Sequence, residues 1–234
     1  SPQLLTVSLT LLSVHGTDRA DHAVAGAVNL SDLQLLSADA FYSYRTMDGI
    51  VDNQFITSIK EDGFHRVLKD IEKKNTFSNQ LIGSHIHYNG KNFELGLTGV
   101  YNVFNKVLNP TDRTYNKYYP RGKDFFNIGV NYQFFWKRFT FLGETALDKQ
   151  GRIATMNMLR YSPKGSFQLV VMNRFYDVAY QSMYANSIGE GSSVQNESGF
   201  YIGLETNILR YFKLNAYGDF FYFPWKKYQV SKNG

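Results

Sequence analysis

The chain has 234 residues and carries 25 Lys and Arg against 20 Asp and Glu, a net charge of only +5. That fits one large domain or two small ones and is too mild for a dedicated nucleic-acid binder. Phe, Tyr and Trp together make up 16% of the sequence, a share that excludes intrinsic disorder. Because there is no cysteine, a disulfide scaffold, a Cys-ligated metal and a thiol nucleophile are all excluded. No window approaches ~18 consecutive apolar residues, so no membrane-spanning helix is expected. The mean hydropathy of −0.34 resembles that of a water-soluble protein. A strand that crosses a membrane spends only alternate residues on lipid, however, so this average does not decide the matter.

The N-terminus, Ser1-Pro2-Gln3-Leu4-Leu5, has neither the basic region nor the small-residue cleavage site of a signal peptide. The expectation is that an export signal has been removed or that the sequence is internal to a longer one. From there period two dominates. Strands are predicted at about 4–14, 22–30, 33–46, 80–89, 91–104, 126–134, 138–148, 152–162, 166–176, 199–209 and 213–223. The clearest is 126–134, where Phe126, Ile128, Val130, Tyr132 and Phe134 share one face and Asn127, Gly129, Asn131 and Gln133 the other.

The connections alternate between tight and long. Asn89-Gly90 has the composition of a type I′ hairpin turn, and Trp136-Lys137-Arg138, Pro163-Lys164-Gly165 and Leu209-Arg210-Tyr211 are equally short. Long loops are expected at about 47–79, 105–123 and 177–198, with a shorter link at 148–151. Within 47–79, Val67, Leu68 and Ile71 recur at helical spacing, so a short amphipathic helix is expected over Arg66 to Lys74. Short turns at one end and long loops at the other describe an up-and-down meander. No repeat, Pro-rich linker or low-complexity tract marks a boundary, so residues 1–234 read as a single domain.

The two faces of the strands favour a membrane barrel over a sandwich. One face is almost free of charge across six strands, with Phe or Tyr near its ends and aliphatic residues between. Aromatic ends around an aliphatic middle are the girdles of a barrel in a bilayer. The other face is polar and carries the lumen-facing candidates Glu94, Asn131, Glu144, Glu205, Lys213 and Asp219. Arg174 and Arg45 join them only provisionally, since Asn173 and Arg174 are adjacent and leave the phase of that strand open. A charge facing lipid near the midplane would cost roughly 2–4 kcal/mol for Arg or Lys. The expected fold is therefore all-β, an antiparallel up-and-down transmembrane β-barrel of the outer-membrane type with about eleven or more strands. Single-chain bacterial barrels have even strand numbers, and this sequence trails off at Gln229 to Gly234. It therefore reads as truncated at one or both ends.

Several stretches in order, Gly63-Phe64-His65-Arg66, Tyr118 to Phe125, Gly143-Glu144-Thr145-Ala146, Ile153 to Asn157, Glu190 to Gly199 and Phe223-Pro224-Trp225, resemble the β-barrel region of Bacteroides-type outer-membrane helix-hairpin-helix domain-containing proteins. The resemblance spans about residues 40 to 228. It implies the outer membrane of a Gram-negative bacterium and no settled activity. The helix-hairpin-helix element itself is missing from these residues, and a nucleic-acid partner is not expected.

Loop 105–123 interleaves Arg113, Lys117 and Arg121 with Tyr115 and Tyr118. Charge and stacking together can hold a polyanion such as the phosphorylated sugars of lipopolysaccharide, although solvated loops share the composition. Loop 177–198 holds Asp177, Glu190 and Glu197 around Gly189-Glu190-Gly191. Oxygen ligands for calcium are one reading, but the spacing of a calcium loop is absent and a loop folded into the barrel mouth is preferred. His85 and His87 project from one strand face at metal-sharing distance, with Glu94 across the turn as third ligand. A pair of polar lumen residues is the plainer reading, and neither metal nor cofactor is expected. No Gly-x-Ser-x-Gly elbow, Walker lysine or Gly-x-Gly-x-x-Gly occurs, so an enzyme is not expected. The leading functional expectation is a channel or a transport and assembly scaffold. Its partners would be outer-membrane lipid, lipopolysaccharide, and proteins at the loops or periplasmic turns. The alternatives are a soluble β-sandwich that binds glycans and an outer-membrane barrel enzyme.

Overall fold

The structure, a computed structural model, describes residues 22–29, 36–60, 72–163, 167–191, 193–209 and 212–228. Alternating side chains with β-branched and aromatic residues on one face fit a pleated, half-buried surface, and most of the described residues are strand. The strands are β1 (His22–Asn29), β2 (Leu36–Asp52), β3 (Phe55–Lys60), β4 (Phe77–Asn89), β5 (Phe93–Leu108) and β6 (Gly122–Trp136). They continue as β7 (Phe139–Asp148), β8 (Ile153–Tyr161), β9 (Gln168–Tyr176), β10 (Glu197–Leu209) and β11 (Phe212–Tyr222). A short 3-10 helix spans Thr114–Asn116. No helix among the described residues is long and apolar enough to cross a membrane.

The protein is all-β, and its strands are hydrogen-bonded in one mostly antiparallel sheet in the order β1-β2-β3-β5-β6-β7-β8-β9-β10-β11, with β4 pairing β2 and β5. Among the described residues no ladder joins the first strand to the last, so the sheet is not a full barrel. The expected strand at 4–14 lies outside the described residues. The chain falls into two compact units, Ser1–Ile86 with Thr98–Asn127 and His87–Leu97 with Ile128–Gly234. The division runs through β4, β5 and β6 rather than through a linker, which is why no boundary is visible in the composition.

In the first unit the simple meander is interrupted. Where a long loop was expected at 47–79, β2 runs on to Asp52 and turns at Asn53 into β3. Asn53 takes a φ of 53°, the left-handed conformation that Asn tolerates better than most residues. β3 then adds a short parallel pairing to β5, Phe55 to Val107 and Ile56 to Leu108. Residues 66–71 of the expected amphipathic helix lie outside the described residues, and 72–75 form a turn. The core of this unit is a run of edge-to-face rings, Phe77 on Phe104 at 5.5 Å and Phe104 on Phe125 at 6.0 Å. Ile56 and Leu108 are buried with them.

In the second unit β6 to β11 follow the expected meander. The β4–β5 reversal corrects the turn expectation, since neither Asn89 nor Gly90 has a positive φ and the connection spans residues 90–92. Glycine is needed at 90 for another reason. The Phe93 ring lies where a Cβ would stand, 2.7 Å from that position. A left-handed residue appears instead at Lys137, in the two-residue link between β6 and β7.

Candidate functional site

The register of the second unit arranges side chains in rows across the strands. One row reads Ala146, Ala154, Tyr176, Glu197, and the next reads Glu144, Met156, Arg174, Gly199, Phe221. A third reads Leu142, Met158, Met172, Tyr201, Asp219. These rows form one face. The opposite face carries Phe141, Leu159, Val171, Ile202 and Gly218 in one row and Phe139, Tyr161, Leu169, Leu204 and Ala216 in another.

Burial is inverted relative to a water-soluble sheet. Val130, Phe141, Leu159, Ile202 and Phe220 on the apolar face are exposed, the last at 67%. Arg174 and Glu197 on the other face are both 0% exposed. The neighbours settle the phase of Arg174, since it stands between Met156 and Gly199 in its row while Asn173 falls on the apolar face.

Arg174 is the centre of the polar face. Its Nε donates to Glu197 at 2.7 Å and its Nη1 donates to Asp219 at 2.8 Å. The guanidinium also lies over the ring of Phe221 at 5.9 Å. A buried ion pair is stable only where its remaining donors and acceptors are satisfied. On the acid's side Glu197 meets this by accepting from the backbone N–H of Glu190 (3.0 Å to Oε2) and of Gly191 (3.1 Å), whereas the Nη2 of Arg174 is buried without a hydrogen-bond partner among the described residues.

Those backbone groups belong to the loop between β9 and β10, which lies on the polar face. Tyr176 donates from its hydroxyl to the carbonyl of Ile188 at 2.7 Å and shares a hydrogen bond of 2.6 Å with Ser187. Asp148, at the end of β7, accepts from the backbone N–H of Gln181 at 3.0 Å. The same carboxylate accepts from the N–H groups of Gln150 and Arg152, both at 2.9 Å, and Arg152 donates onward to the carbonyl of Ala179. Asn196 closes the loop by pairing with the backbone of Trp225, accepting at 2.7 Å and donating at 2.9 Å. Beneath it, Ala154, Tyr176 and Tyr180 form a buried cluster with Ala146 and Val194 packed against it. A cavity of about 50 Å³ remains beside Glu144, Tyr176 and Ser187, room for a few waters.

Four of the six lumen-facing candidates thus fall into two groups. Asp219 and Glu144 lie in the rows around Arg174, whereas Glu205 and Lys213 pair with each other at 2.8 Å, half-exposed, further along β10 and β11. Asn131 lays its amide against the backbone of Gly96, and Glu94 is half-buried on β5. Glu197 is the residue that sequence reasoning placed in an acidic loop, and its partners lie on a different strand and in a glycine-rich turn. Its carboxylate is occupied by Arg174 and by backbone donors, and Asp177 caps Ala179 at 2.7 Å. These acids therefore do not converge on a shared cation. No group of His, Asp and Glu able to hold a metal occurs among the described residues, and His85 instead shares a hydrogen bond of 2.7 Å with Thr98.

In the first unit the expected loop 105–123 narrows to residues 109–121. Arg121 is turned inward as a brace, donating to the carbonyl of Pro110 at 3.1 Å and pairing with Asp112 at 2.5 Å. Asn116 accepts from the N–H of Arg113 and donates to the carbonyl of Thr111, each at 2.8 Å. Arg113, Lys117 and Tyr119 are exposed. Lys117 lies 5.4 Å over the Tyr118 ring, and Tyr115 meets Tyr119 edge-on at 6.2 Å. Burial, and the neighbouring Tyr115, push the Tyr119 hydroxyl above the usual phenol range. Of the expected binding residues, this fold leaves Arg113 and Lys117 exposed and Tyr115, Tyr118 and Arg121 half-buried, with Arg121 engaged by Asp112 and Pro110.

No protein-family model matches the chain, and no curated protein matches it.

Proposed function

We propose that this chain is part of an integral outer-membrane β-barrel of a Gram-negative bacterium, acting as a channel or as a transport and assembly scaffold. The observation that carries the reading is the inverted burial of the strands. Large apolar and aromatic side chains such as Val130, Phe141, Leu159, Ile202 and Phe220 stand exposed on one face, while an arginine and a glutamate are fully buried on the reverse side. In water this arrangement would leave large apolar area uncovered, whereas in a bilayer the same residues meet lipid and the polar face meets the lumen. A sheet left with open edges would expose unpaired backbone to lipid, so the reading requires further strands to close it. The resemblance to the Bacteroides-type outer-membrane proteins belongs to this proposal. So do contacts of the loops with lipopolysaccharide and of loops or turns with partner proteins.

The test is gel migration of the full-length gene product, extracted from membranes in mild detergent, with and without boiling. A closed barrel keeps every backbone donor paired and resists SDS until heated. A mobility shift on heating is the expected result, and a protein found in the aqueous fraction that never shifts would overturn the reading.

A further inference from the structure

We infer that residues 177–191 form a strap across the polar face of the second unit, and that Glu197 is the catch that holds it shut. What the strap controls rests on the channel reading above, since a strap over a lumen face restricts passage. Its geometry does not depend on that reading.

Glu197 is the first residue of β10 and is fixed from below by Arg174 at 2.7 Å. From above its Oε2 accepts the N–H groups of Glu190 and Gly191, and its Oε1 shares that of Glu190. One carboxylate therefore joins the strand wall to the C-terminal end of the strap. Hydrogen bonds to an ionised acceptor are about twice as strong as neutral ones, and they hold only while the carboxylate stays charged and in place. The strap's sequence fits this contact. A Cβ at Gly189 would stand 3.1 Å and 3.2 Å from the two Glu197 oxygens, so a larger residue there crowds the catch unless loop and carboxylate part by a few tenths of an ångström. Elsewhere the strap is tied to Asp148 and Tyr176, which are also wall residues. The middle of the strap has no helix or strand of its own, so its position on the wall depends on these side chains.

The chain itself contains no cysteine, so with any cysteine elsewhere in the full-length protein replaced by serine, one introduced thiol reports alone. Ala154 lies under the strap, 6% exposed, in the cluster with Tyr176 and Tyr180. In the membrane-extracted full-length protein, Ala154→Cys should react slowly with a water-soluble maleimide. Adding Glu197→Gln, which removes the charge that Arg174 and both backbone N–H groups bond to, should speed labelling roughly tenfold or more. Gly189→Ala, which leaves every wall residue intact, should do the same to a smaller degree and guards against a folding defect in the first variant. Planar-bilayer conductance of the same proteins should rise in parallel. Labelling that stays slow in both folded variants would overturn the strap. Faster labelling without current in any form would keep the strap and remove the channel, leaving the scaffold.

Discussion

The guanidinium of Arg174 occupies the space where Gly199 would carry a side chain: a Cβ built at Gly199 stands 2.5 Å from the Arg174 Cζ and 2.7 Å from its Nε. The two residues are directly opposed in the β9–β10 ladder, so the arginine lies flat across its neighbour's backbone to reach Glu197 and Asp219. A guanidinium is the free end of a flexible chain and can usually give way. This one is fully buried and held by two carboxylates, so moving it breaks an ion pair. Gly199→Ala should therefore destabilise the folded protein by about 1–3 kcal/mol, the usual cost of overpacking. The check is the temperature at which the gel shift occurs, and an unchanged temperature would mean that Arg174 has a second, equally good position.

Breaking the pair from the other side should cost more. Arg174→Met removes the positive charge and leaves Glu197 buried against backbone donors alone, which puts the loss at about 3–5 kcal/mol. Replacing Arg174, Glu197 and Asp219 together with Met, Gln and Asn should recover part of that loss, because no buried charge is then left unpaired. Heat-shift temperatures of the single and triple variants measure the difference. Additive losses would show that the three side chains do not act as a unit.

How much of this was legible in the sequence depends on the range of the interaction. β6 and β7 are written in local alternation, and strand bounds there agree within a few residues. β3 was invisible because Phe55 to Lys60 is only six residues long and sits in a segment without clear alternation. Its place is set by pairing with β2 and β5. The phase of Arg174 was undecidable from β9 alone and became fixed only through Met156 and Gly199 on neighbouring strands. Glu197 was legible as an acid near glycines. Its partner is 23 residues away, and no local pattern encodes that distance. The Asn89-Gly90 turn failed for a different reason, since a glycine that looks chosen for its backbone is there to admit the Phe93 ring.

In the loop 109–121, bracing and binding residues can be separated. Arg113 and Lys117 are exposed, whereas Arg121 is engaged with Asp112 and Pro110. If the loop holds a polyanion, Arg113→Gln with Lys117→Gln should weaken binding to lipopolysaccharide and lower the salt dependence of the affinity. Arg121→Gln should instead loosen the loop and raise its protease sensitivity. Equal binding by the double variant and the parent protein would end the polyanion reading.

Lys227 follows β11 and stands 3.6 Å over the Phe223 ring. Burial lowers its pKa below the ordinary 10.5, although Glu197 and Glu190 oppose that shift. The folded state thus binds this proton more weakly than the unfolded state. The penalty is fully present below the folded value and disappears as pH rises from there through 10.5. Tyr119, raised above 10.0, acts in the opposite sense, contributing stability that is lost as pH rises through its folded value. The two must be separated by mutation. Lys227→Met should flatten the alkaline gain, measured as the difference in heat-shift temperature between pH 8 and pH 10.5, and an identical slope in the variant would exclude Lys227 as its source.

The facing of the strands gives the most direct test of the membrane reading. Val130 on β6 is 42% exposed on the apolar face, and Asn215 on β11 lies on the polar face opposite Glu205. If the apolar face meets lipid, Val130→Arg should cost about 2–4 kcal/mol near the midplane and block assembly into the membrane. Asn215→Arg should be tolerated, because the new guanidinium meets a carboxylate across the ladder. Membrane-fraction yield and the heat shift of both variants decide the point. If Val130→Arg assembles as well as Asn215→Arg, the exposed apolar face does not contact lipid, and the inverted burial must be covered by protein instead.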